Sequence, residues 1–141
     1  IRLLKTSGNL NILPIICYEI IFLNDLLNLN NIDSELLINI TNDAWFGDLS
    51  GPYQHFYLSR MRAIEFDKTL IRVSSNGISA VINNKGKILD YIPLNKKEIK
   101  KLKISIYLNS QSNLKNYHSL IFVLLFILFI FAILSNKKIN D

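Results

Sequence analysis

Three kinds of apolar spacing follow one another along the chain, and each predicts a different element. The first is the short apolar run closed by turn residues. "NILPIICYEII" at 11–21 reads as a buried strand running into a turn or helix start near Cys17. "NDLLNLNNIDS" is a short helix or an asparagine-rich loop, and "ELLINITND", Glu35 to Asp43, is a second strand that ends at Asn42–Asp43. The loop "AWFGDLSGP" then carries two glycines and a proline together with two aromatics, Trp45 and Phe46. From Tyr53 the period lengthens: Tyr53, Phe56, Tyr57, Met61 and Ile64 share one helical face, Gln54, Arg62 and Glu65 fall elsewhere, and Pro52 suits the first turn. Strand spacing returns in "TLIRVSS", "ISAVIN" and "KILDYI", separated by Asn76–Gly77 and "NNKG", both good hairpin turns. "LKISIYL" is read as one more strand, and "NSQSNLKNYH" as a polar linker. Strand, strand, helix and then a meander predict an α/β layered domain, entered partway through.

The third kind is continuous. "SLIFVLLFILFIFAILS", Ser119 to Ser135, holds an unbroken apolar run from Leu120 to Leu134. A membrane span needs about 20 mostly apolar residues, roughly 17 at the least. A buried core helix is the alternative, but the segment is apolar on every face, which favours a short span suited to a thin membrane. It lies at the wrong end for a signal peptide. Lys137 and Lys138 place the C-terminus in the cytoplasm and residues 1 to 115 outside it, with Lys115 weighing the other way. The expected organisation is a catalytic part over 1–108, a linker over 109–118, a transmembrane helix over 119–135 and a cytoplasmic tail over 136–141.

Composition adds little to that picture. Half of the 141 residues are hydrophobic and 19% are charged, and the continuous run accounts for most of the excess. The length suffices for one modest core. Because the first residue is isoleucine, the chain is expected to be the tail of a longer protein. The net charge of +5 is thinly spread, with one cluster in "NKKEIKKLK", Asn95 to Lys103. That cluster is either a solvated face or a contact with anionic lipid. No basic stripe interleaves with aromatics, so nucleic acid is not expected as a partner. One cysteine offers no internal disulfide. No metal site and no cofactor are expected.

The candidate chemistry centres on Cys17. By itself, a lone cysteine on a strand is a small buried hydrophobe. A nucleophilic one needs an electropositive or base-bearing surrounding. Glu19 lies on the same side as Cys17 if the strand continues, and Tyr18 offers a backbone N–H where an oxyanion could sit. No spacing supports a dyad with His55. Arg62 and Glu65 fit a packing salt bridge at i, i+3. Asn76–Gly77 is most simply a tight turn, with a supporting role beside the cysteine as the second choice.

The order "ICYEI", "TNDAWFG", "QHFYLSRMRAIE", "RVSSNGISAVINNKGKI" resembles the C-terminal half of the nitrilase superfamily domain. More closely, over residues 10 to 92, it is similar to the bacterial apolipoprotein N-acyltransferases, in which such a domain is joined to membrane helices. The resemblance implies a four-layer αββα sandwich and a Glu–Lys–Cys triad. Cys17 matches the nucleophile, and Tyr18 the residue whose N–H helps hold the oxyanion. Glu19 matches a second glutamate required near the nucleophile. Trp45 and Phe46 match aromatics shaping the acyl-chain pocket, with Gly47 allowing the loop its turn. The triad's glutamate and lysine would lie upstream of residue 1, so this chain alone would be inactive. "QSNLKNYHS" lacks the Arg-Gly pattern of those enzymes.

The implied reaction moves a fatty acyl chain from a membrane phospholipid, through a Cys17 thioester, to the N-terminal amino group of a diacylglyceryl apolipoprotein. The implied location is the bacterial inner membrane, with the catalytic part on the periplasmic side. A nitrilase-type hydrolase of small amides and an inactive membrane-anchored remnant are the alternatives.

Overall fold

A computed structural model describes residues 3–26, 33–106 and 120–130. Contacts divide the chain into two units, Ile1–Gln111 and Ser112–Asp141. The first is built on one six-stranded mixed sheet, in which spatial order follows chain order. Its strands are β1 (Leu4–Lys5), β2 (Asn11–Ile16), β3 (Leu36–Asn42), β4 (Thr69–Ser75), β5 (Ser79–Ile82) and β6 (Ile88–Ile92). The middle three strands are parallel, β1 is antiparallel to β2, and β5 and β6 close the sheet as antiparallel hairpins. Parallel neighbours need crossovers. From β2 to β3 the chain passes through a 3-10 helix (Cys17–Ile21) and the short helix α1 (Leu23–Leu26). From β3 to β4 it passes through a 3-10 turn (Ala44–Phe46) and helix α2 (Gly51–Glu65), which has Pro52 in its first turn.

Local sequence explains several of these choices. Pro14 sits inside β2, but β1 pairs only as far as Ile12, so the proline falls beside an unpaired edge, where strands tolerate it. Asn76 takes φ 62° and Gly86 φ 74°, the left-handed conformations that the two hairpin turns require. Alternation along the strands sends Leu13, Ile15, Leu37, Leu70, Ala80 and Ile82 into the core, against Phe56 and Ala63 of α2. The opposite face is also apolar, yet Ile16, Ile40 and Val73 remain about half exposed there. Of the four layers implied by the resemblance, the described residues form one sheet and the helical layer on one of its faces.

The structure departs from the sequence reading in three places. The apolar stripe of α2 is on the outside: Tyr53, Tyr57, Met61 and Ile64 are exposed, while Pro52, His55, Phe56, Ser59, Arg62 and Ala63 are buried. The helical period holds but its phase is rotated, because His55, Ser59 and Arg62 find buried hydrogen-bond partners that outweigh their polarity. Over 102–106, "LKISI" forms no strand, and the rest of that segment lies outside the described residues. Finally, β2 stops at Ile16, so Glu19 does not continue a strand alongside Cys17 but sits in the 3-10 helix.

The second unit contains helix α3 over 120–130. Among the described residues no helix is long and apolar enough to cross a membrane. The expected span over 119–135 extends outside the described residues, as do the linker and the tail.

Candidate functional site

Cys17 occupies the corner where β2 turns into the 3-10 helix. Its φ is 50°, a left-handed conformation that a non-glycine residue adopts at a cost of roughly 1 kcal/mol or more. Three contacts hold the corner. The Glu19 carboxylate turns back and accepts a hydrogen bond from the Ile16 N–H at 2.8 Å. Asn39 Nδ2 donates to the carbonyls of Ile15 and Cys17, at 3.0 and 3.3 Å. Arg62 donates to the carbonyls of Ile20 (2.7 Å) and Ile21 (3.0 Å), and also bridges Glu65. Glu19 therefore stands beside the cysteine as a clasp on the corner, and the Arg62–Glu65 pair anchors the corner's far end.

Cys17 is half-buried, and its sulfur has defined company. Thr41 Oγ1 lies 3.4 Å from Cys17 Sγ. That hydrogen bond, then one from the backbone N–H of Asn42, and a weaker one from Tyr18, favour the thiolate. They outweigh burial and the negative charge of Asp43, so the thiol sits below its ordinary pKa. The N–H groups of Tyr18 and Asn42 thus both serve the sulfur.

Beneath the sulfur is a fully buried polar cluster. Arg72 reaches Asp43 Oδ2 (2.6 Å), Asn39 Oδ1 (2.5 Å), Ser59 Oγ (2.8 Å) and the Ile78 carbonyl (3.2 Å). Asp43 Oδ1 is shared by Thr41 Oγ1 (3.1 Å) and His55 Nδ1 (2.9 Å). Burial works to raise the Asp43 carboxyl, but the His55 hydrogen bond, the Arg72 charge and hydrogen bond, and Ser74 together lower it to about 2. His55 Nδ1 also lies 3.2 Å from Arg72, which can only donate, so the shorter contact assigns its proton to the bond with Asp43. His55 is thus linked to the sulfur through three hydrogen bonds, by way of Asp43 and Thr41, rather than paired with it as a dyad. Its Nε2 is buried without a hydrogen-bond partner. Gly77 packs so closely on Asp43 that a Cβ there would lie 2.0 Å from Oδ2. The Asn76–Gly77 turn is therefore also a wall of this cluster.

The two loop aromatics part company. Phe46 stacks obliquely on His55 and Tyr18, with ring centres 5.2 and 6.1 Å apart, and Tyr18 meets Phe22 edge-on. Trp45 is 86% exposed. Gly47, at φ 65°, ends the 3-10 turn that carries both.

Over residues 3–109 the sequence matches the Carbon-nitrogen hydrolase family. The chain belongs to that family. It is 42% identical over 136 residues to the apolipoprotein N-acyltransferase of Rickettsia bellii (strain RML369-C), covering 94% of this chain and 27% of that protein. It is 52% identical over 87 residues to that of Rickettsia prowazekii (strain Madrid E), covering 62% of this chain and 17% of that protein. Apolipoprotein N-acyltransferase 2 of Treponema denticola is 38% identical over 123 residues, 87% of this chain and 23% of that protein. The chain thus spans less than a third of the length of the curated relatives it matches. Among solved structures it is similar to an amidase from Nesterenkonia sp. AN1, with TM-score 0.48 and 21% identity over 65% of this chain and 37% of that one.

Within this carbon-nitrogen hydrolase domain the structure brings Cys17, Tyr18 and Phe46 together, places Glu19 at the corner and leaves Trp45 on the rim. Sequence reasoning missed Asn39, Thr41, Asp43 and Arg72. Their signal was the strand period: Asn39 and Thr41 share a face with Leu37, and Arg72 with Leu70, so polar groups were due to be buried and paired.

Proposed function

We propose that this chain carries the nucleophile of an apolipoprotein N-acyltransferase, and that Cys17 is that nucleophile. The observation supporting it most directly is the sulfur's setting: a strained corner, a Thr41 hydroxyl and the N–H groups of Asn42 and Tyr18, all favouring thiolate. The names of the relatives supply the substrate class. In the first step the thiolate attacks the ester carbonyl carbon of a phospholipid acyl chain. The Tyr18 N–H helps hold the oxyanion, the C–O bond breaks, and a lysophospholipid leaves with a proton. In the second step the α-amino group of a diacylglyceryl-cysteine attacks the thioester. The C–S bond breaks, an amide forms, and the amine gives up its proton.

The proposal assigns the general-base glutamate and the lysine of the triad to the rest of the protein. Phe46 and Trp45, on the loop that Gly47 closes, would line the approach of acyl chains, since an apolar rim suits a lipid better than a small soluble amide. Residues 119–135 would hold the enzyme in the inner membrane, with the catalytic unit on the periplasmic side.

The test uses full-length protein in mild detergent, incubated with phospholipid and without a lipoprotein acceptor. The mass of the Cys17 peptide should increase by a fatty acyl group, and hydroxylamine should remove it. Cys17→Ser should carry no hydroxylamine-labile adduct. An unmodified Cys17 in folded protein would overturn the proposal and favour hydrolysis of a small amide.

A further inference from the structure

The Thr41 hydroxyl stands between two acceptors, 3.4 Å from Cys17 Sγ and 3.1 Å from Asp43 Oδ1. It has one proton, so it can serve only one of them at a time. Both neighbours are anchored. Asp43 is pinned by Arg72 and His55, which keep it hydrogen-bonded whichever way Thr41 points. The cysteine's backbone is held, because Asn39, one step along the same face of β3, donates to its carbonyl while Glu19 clasps the residue before it. Between two anchored residues, rotation of the hydroxyl decides which of them receives its proton.

We infer that Thr41 is a positioning residue for Cys17: its hydroxyl proton serves the sulfur when Cys17 is a thiolate and Asp43 when the sulfur is protonated or acylated. No O–H bond breaks in this exchange. The thiol proton leaves to a base, and the hydroxyl then rotates toward the new negative charge. A protonated sulfur instead donates S–H to Thr41 Oγ1, whose own proton points to Asp43. A thioester sulfur is a poor acceptor, so the hydroxyl turns to Asp43 again. When the amine expels the sulfur, the hydroxyl swings back and stabilises the departing thiolate. Only this acyl stage rests on the function proposed above; the thiol–thiolate exchange does not.

The geometry gives a reason for placing a carboxylate so near a nucleophilic sulfur, where its charge alone opposes the thiolate. Asp43 supplies the resting place for the Thr41 proton, and Arg72 offsets its charge. Among the described residues, the titratable and charged groups disposed around this corner are Tyr18 and Glu19 on its own turn, Asp43 at the end of β3, His55 on α2 and Arg72 on β4, with the Arg62–Glu65 pair of α2 at the far end of the turn. Among these, Asp43 meets the Thr41 hydroxyl directly.

The test is the rate of Cys17 alkylation by iodoacetamide across a pH series, read by peptide mass in the full-length protein. Thr41→Val removes the hydroxyl at nearly constant volume. A hydrogen bond to a charged group is strong enough that its loss should raise the alkylation midpoint by about one pH unit, roughly tenfold less thiolate at any pH well below the midpoint. Thr41→Ser keeps the hydroxyl and should titrate as the natural protein does. If near-UV circular dichroism shows that valine disturbs β3, Thr41→Ala removes the same group with less bulk and should give the same rise. An unchanged midpoint in the folded hydroxyl-free variant, or a serine variant that shifts as valine does, overturns the inference. The phospholipid adduct on Cys17 is measured separately. A shifted midpoint without an adduct would sink the acyltransferase reading alone, and an adduct with an unshifted midpoint would sink this inference alone.

Discussion

The ion pairs Arg72–Asp43 and Lys100–Asp90 both close at 2.6 Å, and both involve residues of the same sheet. Both carboxylates lie below their ordinary pKa. Distance therefore does not separate them; surroundings do. The side chains of Arg72 and Asp43 are wholly buried, whereas those of Lys100 and Asp90 are 27% and 29% exposed. Water can replace either partner of the outer pair. Nothing can replace Arg72, which also carries Asn39 and Ser59, and through Asn39 the carbonyl of Cys17. The outer pair decorates a surface, while the inner one ties β3, β4 and α2 to the corner that holds the cysteine.

The largest expected effect follows from breaking the inner pair. Arg72→Met keeps the length of the side chain and removes its charge, leaving Asp43 buried without its cation. The loss should be about 3–5 kcal/mol, seen as a lower denaturant midpoint in the full-length protein. A loss below about 1 kcal/mol would mean that the cluster does not hold the corner. The next effect is a pH dependence. Asp43 sits at about 2 in the folded protein against an ordinary value of 3.8. A depressed carboxyl stabilises the fold above its unfolded value, and that stability is lost as pH falls through its folded value. Asp43 should thus contribute about 2 kcal/mol at neutral pH, fading from about pH 4 toward pH 2. Comparing the natural protein with Asp43→Asn by unfolding across that window checks it: their difference should shrink as pH falls. A difference that stays constant would place the carboxyl's titration elsewhere.

How much of this was legible in the sequence depended on whether a signal was local. Strands β2 to β6 and the two hairpin turns were legible, because alternation, Asn76–Gly77 and "NNKG" act over a few residues. Cys17 and Tyr18 were singled out through the motif "ICYEI", but the left-handed corner they occupy was not legible, because no residue type there demands φ 50°. The outward face of α2 was misread for a physical reason. Counting apolar positions treats His55, Ser59 and Arg62 as solvent-facing, whereas each is buried against partners 12 to 42 residues away in sequence. Arg72 was the available clue. A charge on the core-facing side of a strand, in register with Asn39, requires buried partners, and those partners were the missing half of the site.

The smallest expected effect sharpens the comparison from the other side. Lys100 donates to Asp90 at 2.6 Å and to the Tyr91 carbonyl at 2.8 Å, so by contact distance alone it matches Arg72. Its removal, however, returns a carboxylate and a carbonyl to water that already reaches them, and leaves no buried charge behind. Lys100→Ala should therefore shift neither the denaturant midpoint nor the alkylation midpoint of Cys17 measurably. Added salt should weaken whatever remains of the outer pair while leaving the inner one unchanged, because screening acts on solvent-exposed charges and far less on buried ones. A Lys100→Ala loss comparable to that of Arg72→Met would show that segment 96–102 braces the sheet as firmly as the buried cluster does. Burial would then no longer be what distinguishes the two pairs.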